Sequence, residues 1–306
     1  MKSRDYTLER LPRKGLRLGC AGQSRQPAGQ EGTTLVRYTA PMSSAGAARA
    51  ADPPEFDAWL RGAEDRYLSD LTFAEVTRAL RALSSCYVER RERLADGSAL
   101  EGAGKRAAFA LFYAPLHALV THRVVTALEA YLATGTRLVD FGCGTGAASG
   151  AWALAAGAAV SIEGFDRSAW AVGEAAWTWR ALGVRGRATR ADVARVRLPR
   201  GPLACLAAYT VNELPPDARE ALRRALLGAA HEGNAVLVIE PLAGGVAPWW
   251  AAWADDFARV GGRIDEWRLP AHLPDIVARF DRAAGLRHHH ELTARTIYVP
   301  GKGGRI

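Results

Sequence analysis

Residues 138–146 read Leu-Val-Asp-Phe-Gly-Cys-Gly-Thr-Gly, an apolar run that ends in an acid and continues into a glycine-rich turn. The acid is Asp140, and the glycines are Gly142, Gly144 and Gly146. Glycine lets the backbone adopt positive φ angles and lets a ligand approach the chain closely. The alanine-rich residues that follow favour a helix, whose first amides would be free to bind an anionic group. The stretch therefore predicts a strand, a tight turn and a helix that together form a ligand site.

The chain beyond this turn alternates short β-rich runs with helical ones. The predicted strands cover 137–141, 159–165, a weaker run near Ala188, 203–209, 235–239 and 293–299. The predicted helices are one capped by Ser168 that ends near Gly183, one that begins near Asp217, and two in 250–260 and 273–284. Such alternation is typical of parallel βαβ units. We therefore expect an α/β fold with a doubly wound, mostly parallel sheet in residues 134–306.

The chemistry of the turn suits a ligand that carries both positive charge and a carboxylate. S-adenosylmethionine has an ammonium and a sulfonium group for Asp140 and a carboxylate for the helix N-terminus. A dinucleotide is the alternative, because Gly142, Gly144 and Ala147 fit the looser Rossmann pattern. Asp140 would lie close to a pyrophosphate and repel it, and Gly146 comes one position early for that pattern. A tight turn that binds nothing is the third interpretation.

Two further acids follow predicted strands and complete a candidate cofactor site. Asp166 comes directly after the second strand, where a carboxylate can accept hydrogen bonds from both ribose hydroxyls. Its alternative role is to cap the helix that begins near Ser168. Glu163 is a less favoured candidate for the ribose, because strand alternation turns its side chain elsewhere. Asp192 follows the third strand, where it would meet either the adenine amino group or solvent.

This ordered set of residues resembles the class I S-adenosylmethionine-dependent methyltransferases over residues 136–241 and the terminal strand. The resemblance implies an enzyme with a seven-stranded methyltransferase sheet, an N-terminal helical cap and S-adenosyl-L-methionine as cofactor. The cofactor-binding residues that it implies are Asp140, Gly142, Gly144, Gly146, Asp166 and Asp192. It says little about the methyl acceptor.

Two further segments carry a narrower resemblance. Residues 209–215 read Tyr-Thr-Val-Asn-Glu-Leu-Pro, and residues 238–241 read Val-Ile-Glu-Pro. Together with Tyr-Ala-Pro at 113–115, they are similar to the methyltransferase-like family associated with the small ribosomal subunit. This implies RNA or another component of that subunit as partner and acceptor, with a non-catalytic, cofactor-binding assembly factor or a small-molecule methyltransferase as alternatives. That family often has a cysteine cluster after the fifth strand, and this chain has no cysteine after Cys205, so we expect no metal.

Asn212 and Glu213 lie after the fourth predicted strand, at the sheet edge where α/β proteins bind ligands. Glu213 is the candidate general base, and Asn212 is the candidate group that orients the acceptor. The plainer interpretation of both is that they are loop polar groups ahead of a helix. Packing roles are favoured for Tyr113, His117, Trp249, Trp250 and Trp253, and solvated or structural roles for His288, His289 and His290.

The chain before the glycine turn is predicted to have two parts. Residues 1–53 lack a sustained apolar period and are expected to form a disordered tail, within which Met42 is a second candidate start of translation. Residues 54–133 are expected to form the helical cap. There Thr72 and Glu75 make a capping-box pattern before an apolar stripe, and a second helix is expected to start at Pro115.

The net charge of +8 is concentrated in the predicted tail, since residues 1–50 carry nine basic and three acidic side chains. The remaining 31 basic and 29 acidic groups give a nearly neutral core, which favours a small-molecule acceptor over nucleic acid. The four cysteines have no metal or disulfide spacing and suit a reducing cytoplasm. No apolar run reaches the length of a membrane span and no signal peptide is evident, so we expect a soluble protein without membrane contact.

Overall fold

The computed structural model describes residues 53–89, 100–157, 159–242, 247–286, 288 and 290–302. The predicted tail therefore lies outside the described residues, except for Pro53. The statements that follow concern the described residues.

Seven strands form one sheet, and five of them run parallel. The strands are β1 (Arg137–Phe141), β2 (Ser161–Asp166), β3 (Arg185–Arg190), β4 (Leu203–Ala208), β5 (Ala235–Glu240), β6 (Arg263–Pro270) and β7 (Glu291–Val299). Their order is β3-β2-β1-β4-β5-β7-β6, with β7 antiparallel to both β5 and β6. The expected α/β fold, with a doubly wound, mostly parallel seven-stranded sheet, is confirmed. The antiparallel β7 between β5 and β6 distinguishes it from dinucleotide-binding sheets of order 3-2-1-4-5-6.

Helices cover both faces of this sheet. They are α1 (Pro54–Leu68), α2 (Phe73–Glu89), α3 (Ala103–Ala108), α4 (Ala114–Ala127), α5 (Ala147–Ala155), α6 (Ala169–Ala181), α7 (Pro216–His231), α8 (Trp250–Arg259) and α9 (Asp275–Ala284). A π-helical turn, Phe109–Tyr113, joins α3 to α4, and 3₁₀ turns cover Val193–Arg195 and Val211–Glu213.

The apolar residues of the strands alternate between two cores. On β1, Leu138 belongs to the core that α1 to α6 cover, whereas Val139 belongs to the core under α7 and α8. Successive side chains of a strand point to opposite faces, so a strand buried on both faces is apolar at most of its positions. All six residues of β5 are buried, and the first five are apolar.

The N-terminal helices form the expected cap and share their core with the sheet. The capping box is confirmed: the Glu75 carboxylate accepts hydrogen bonds from the Thr72 amide at 2.8 Å and hydroxyl at 2.7 Å, and the Glu75 amide donates to Thr72 Oγ1 at 3.3 Å. Arg66 of α1 donates two hydrogen bonds, of 3.0 and 3.1 Å, to Glu174 of α6 and lies 4.0 Å from the ring of Trp177. This bidentate pair ties the cap to the sheet domain.

The second predicted cap helix is α4, which begins at Ala114 and has Pro115 in its first turn as expected, but it continues a helical stretch that begins at Ala103. Proline within an α-helix removes a hydrogen bond and crowds the carbonyl four residues earlier. The π-helical turn directly before it widens the helix there, with the amide of Ala114 donating to the carbonyl of Phe109. The helical stretch Ala103–Ala127 is thus long and apolar enough to span a bilayer, contrary to the sequence prediction, but 83% of its most apolar window is buried in the fold.

Candidate cofactor and catalytic site

The glycine turn leaves the C-terminal end of β1 and has one packed side and one open side. Gly142 has a φ of +72°, and a Cβ atom there would lie 2.4 Å from Cγ2 of Thr210. Gly144 has a φ of +51°, but no heavy atom lies within 4 Å of where its Cβ would be. Gly146, with a φ of +73°, directly precedes α5 and accepts a hydrogen bond from the Trp179 indole at 2.9 Å. The turn is therefore fixed against the protein at both ends and accessible at Gly144.

Asp166, the last residue of β2, ties this turn to the neighbouring strand. Its carboxylate accepts hydrogen bonds from the amides of Gly144 at 3.0 Å and Ser168 at 2.8 Å. A carboxylate has about four acceptor positions, so this one still has acceptor capacity for a ribose hydroxyl. Burial raises the pKa of Asp166 above its usual value. The helix-cap role belongs to Ser168 as predicted, because its hydroxyl accepts from the Ala171 amide at 3.3 Å.

Asp140 lies beneath the turn with only 1% of its surface exposed. Within the described part of the chain, its Oδ2 atom has no hydrogen-bond partner. Burial raises the pKa of Asp140 to about 7; the nearby Ser149 hydroxyl opposes this rise and the charge of Asp166 adds to it. A buried, unpaired carboxylate oxygen is unfavourable unless a cationic or hydrogen-bonding group approaches it. This orphaned oxygen fits a cationic hydrogen-bond donor such as the ammonium group of S-adenosylmethionine.

Glu213 faces the same edge of the sheet from the 3₁₀ turn after β4. Burial raises the pKa of its carboxyl to about 7, with a further rise from the charge of Asp166 and an opposing effect of Arg167. The contacts among the described residues include no hydrogen bond to this carboxylate. Glu213 and Asp166, distant in sequence, therefore share one site, with the Glu213 carboxylate available to a ligand.

Asn212 is placed differently from its neighbour, because both ends of its side chain are engaged inside the protein. Its Nδ2 donates to Glu240 Oε2 at 2.7 Å, and its Oδ1 accepts from the Trp249 indole at 2.9 Å. Its predicted role in orienting an acceptor stays a prediction. Glu240, the last residue of β5, belongs to the Val-Ile-Glu-Pro segment, but no sequence signal places it beside Asn212.

Two aromatic rings from separate parts of the chain meet at this edge. His117 of α4 stacks on Tyr209, with ring centroids 3.8 Å apart and planes 11° from parallel. Burial lowers the pKa of His117 to about 3, which leaves the ring neutral at physiological pH. Tyr209 has a φ of +57°, which ends β4 one residue before the predicted end and is uncommon for a non-glycine residue. Strained backbone of this kind often marks functional sites, and no sequence signal identifies it.

The other candidate residues lie apart from this cluster. Asp192 is exposed and accepts from the Ala194 amide at 3.0 Å, so its role toward adenine stays a prediction. Glu163 pairs with Arg137 at 3.8 Å. His288 hydrogen-bonds to buried Asp281, and the three tryptophans are buried as predicted. Among described residues, no three His, Cys, Asp or Glu side chains are placed to hold a metal ion.

Comparisons with known proteins give structural similarity only. No family model and no curated protein matches the sequence. A TehB-like SAM-dependent methyltransferase from Corynebacterium glutamicum is 15% identical, with a TM-score of 0.39 over 60% of this chain and 87% of that chain. A SAM-dependent methyltransferase from Thiobacillus denitrificans, in complex with S-adenosyl-L-homocysteine, is 14% identical, with a TM-score of 0.41 over 60% and 91%. The mitomycin 7-O-methyltransferase is 15% identical, with a TM-score of 0.43 over 80% and 73%. At these levels, no substrate or partner transfers to this chain.

Proposed function

We propose that this protein is an S-adenosylmethionine-dependent methyltransferase. The observation that carries the proposal is the buried, unpaired Oδ2 of Asp140 beneath a glycine turn whose open side is at Gly144. Asp140 would hold the ammonium group, the first amides of α5 would hold the carboxylate, and the free acceptor positions of Asp166 would take the ribose hydroxyls. When bound, the cofactor supplies a methyl group on a cationic sulfur.

Glu213 is the group that we propose to accept a proton from the methyl acceptor. A general base works best when its pKa lies near the working pH, and burial brings the pKa of Glu213 to about 7. An acceptor with a free lone pair on nitrogen would need no such base, and Glu213 would then only bind it.

We propose RNA of the small ribosomal subunit, or another component of that subunit, as the acceptor and partner, with localisation in the cytoplasm. This rests on the narrower sequence resemblance. It is supported by exposed arginines on the edge strand β3 and in the residues after it, which are Arg185, Arg187, Arg190, Arg195, Arg197 and Arg200. Arginine binds phosphate well through its paired donors. A cofactor-binding assembly factor without turnover and a small-molecule methyltransferase are the alternatives, and crosslinking with pull-down from native cells separates them by identifying the partner.

Calorimetry with the full chain tests the cofactor. We expect S-adenosylmethionine and its demethylated product to bind with micromolar affinity, and NAD not to bind. Asp166→Ala should weaken binding about ten- to a hundredfold, because a hydrogen bond to a charged group contributes roughly 1.5–3 kcal/mol. The matched control is Glu163→Ala, which removes an acid from the same strand and should leave binding unchanged. Binding of NAD with no heat from either sulfur ligand would refute the proposal.

A further inference from the structure

The 3₁₀ turn that carries Glu213 is held by hydrogen bonds on two sides. Glu240 Oε1 accepts from the amides of Val211 at 2.8 Å and Asn212 at 3.3 Å. From α7, Arg219 donates to the carbonyls of Val211 at 3.2 Å and Leu214 at 2.8 Å. The backbone on both sides of Glu213 is thus fixed, while its carboxylate has no hydrogen bond among the described contacts. This is the arrangement expected of a functional side chain, which is held by a rigid backbone while its reactive group stays accessible.

A directional chain of hydrogen bonds continues from this turn to α8. The Trp249 indole donates to Asn212 Oδ1, and Asn212 Nδ2 donates to Glu240 Oε2. An indole N–H can only donate, so it fixes the orientation of the Asn212 amide, and this amide in turn requires an acceptor at position 240. Glutamine at position 240 would place one NH₂ group against another.

Glu240 is also unfavourable for folding at this position, because a carboxylate with only 1% of its surface exposed loses its hydration. Burial raises its pKa to about 8, the charge of Glu213 adds to this rise, and the amide donors and Arg295 oppose it. Arg295 lies opposite Glu240 in the β5–β7 register, 4.3 Å from the Trp250 ring. A carboxylate that is buried at such a cost and bonded to the turn of the candidate base has a reason beyond packing.

We propose that Glu240 is a positioning residue that holds Glu213 in the active site through the Trp249–Asn212–Glu240 hydrogen-bond chain. This inference rests on the proposed function for the role of Glu213. It assigns Asn212 to the support of the turn and not to contact with the acceptor. It also gives the second motif, Val-Ile-Glu-Pro at 238–241, a physical purpose at the end of β5.

Exchanging the donor and the acceptor between positions 212 and 240 tests this chain of hydrogen bonds. Glu240→Gln sets donor against donor, whereas adding Asn212→Asp restores one donor and one acceptor at each contact, because the aspartate accepts from both the indole and the amide introduced at position 240. We expect the amides of Val211 and Asn212 to exchange with solvent about ten- to a hundredfold faster in Glu240→Gln, and near the original rate in the double variant. Glu266→Gln, which removes another acid near Arg295, is the matched control and should change neither rate.

The second readout is the pKa of the Glu213 side chain, measured by NMR of its carboxyl carbon, which Glu213→Gln identifies. We expect this pKa to fall toward that of an exposed glutamate in Glu240→Gln and to return in the double variant. Trp249→Phe breaks the hydrogen-bond chain without removing a charge and should lower this pKa as well, which loss of the Glu240 charge alone would not explain. No cofactor is present in either measurement, so their outcome is independent of whether S-adenosylmethionine binds.

Several outcomes decide the proposal. Unchanged exchange rates and an unchanged Glu213 pKa in Glu240→Gln overturn it, and so does a double variant that restores neither. If Glu240→Gln fails to fold and the double variant folds, the hydrogen-bond order is supported directly. If both fail to fold, Trp249→Phe removes only the indole donor: faster exchange of the Asn212 amide supports the chain, and unchanged exchange overturns it.

Discussion

The position of the Asp140 carboxylate is unfavourable for the stability of the free protein. Its carboxylate is almost fully buried, one oxygen has no partner among the described residues, and burial brings its pKa to about 7. The charged form is therefore unfavourable in the free protein and becomes favourable when a cation is placed against it. A buried residue that is kept for function in this way lowers the stability of the free protein.

Replacing Asp140 by asparagine should therefore separate the two effects. At pH 8 we expect Asp140→Asn to have a higher Tm than the original protein, because no buried charge has to form. Binding of S-adenosylmethionine should weaken at least about tenfold, as expected for loss of a charged hydrogen bond. Thermal unfolding at pH 8 and pH 5.5 provides its own control, since the Tm difference should shrink where Asp140 is already protonated. A lower Tm at pH 8 would contradict this explanation.

The glycine turn offers a matched pair of variants, because its two glycines have different reasons to lack a side chain. Gly142→Ala places a methyl group 2.4 Å from Thr210 at a φ of +72°, so we expect a loss of about 2–4 kcal/mol in unfolding free energy. Gly144→Ala meets no atom within 4 Å, so strain at φ +51° should cost only about 1–2 kcal/mol. Its methyl group would occupy the open side of the turn and weaken cofactor binding. Urea unfolding and calorimetry measure both quantities, and full affinity in Gly144→Ala would place the cofactor elsewhere.

The elements that the sequence predicts well are those whose residues follow one rule along the chain. β1 and β5 each contain an apolar run that ends in an acid, and the α2 cap depends on residues three positions apart. The sequence does not predict β6, because charged residues hide its alternation: Asp265 is buried only because Arg263 makes two hydrogen bonds to it. The Val211–Glu213 turn depends on a carboxylate 28 residues away from Asn212, which no local pattern reveals.

The same limit applies to the candidate site across the whole molecule. Asp140, Asp166 and Glu213 can be recognised because each lies near the C-terminal end of a strand, and parallel strands bring these ends to one edge. The His117–Tyr209 stack cannot be predicted in this way, because it depends on how the cap packs over that edge. The sequence thus indicates which residues reach the edge, and the packing of distant elements determines which of them meet.

The buried acids and His117 should give the stability of the molecule a characteristic pH profile. Burial lowers the pKa of His117 to about 3, so the unfolded chain binds an extra proton below about pH 6.5, and this group makes stability rise with pH up to there. The acids act in the opposite sense: Asp140 and Glu240 keep their protons to about pH 7 and 8 when folded, and lose them near pH 4 when unfolded. Between about pH 6.5 and 8.5 these acids dominate and the folded state binds more protons, so stability should fall as pH rises through this range.

Thermal unfolding across this pH range measures the effect. If Glu240 alone keeps its proton over the roughly 1.5 pH units up to its folded pKa, the loss is about 2 kcal/mol, or about 4–8 °C in Tm. Glu240→Gln should reduce the fall in stability above about pH 6.5 and leave the rise below it unchanged. His117→Phe should reduce the rise below about pH 6.5 and leave the fall above it unchanged. S-adenosylmethionine at a hundred times its Kd should add about 2.7 kcal/mol and stabilise more at pH 8 than at pH 6, because the cation favours ionised Asp140. A Tm that rises steadily from pH 6.5 to 8.5 without ligand would show that these carboxyls have ordinary pKa values in the folded protein. That result would contradict the electrostatic argument for the site.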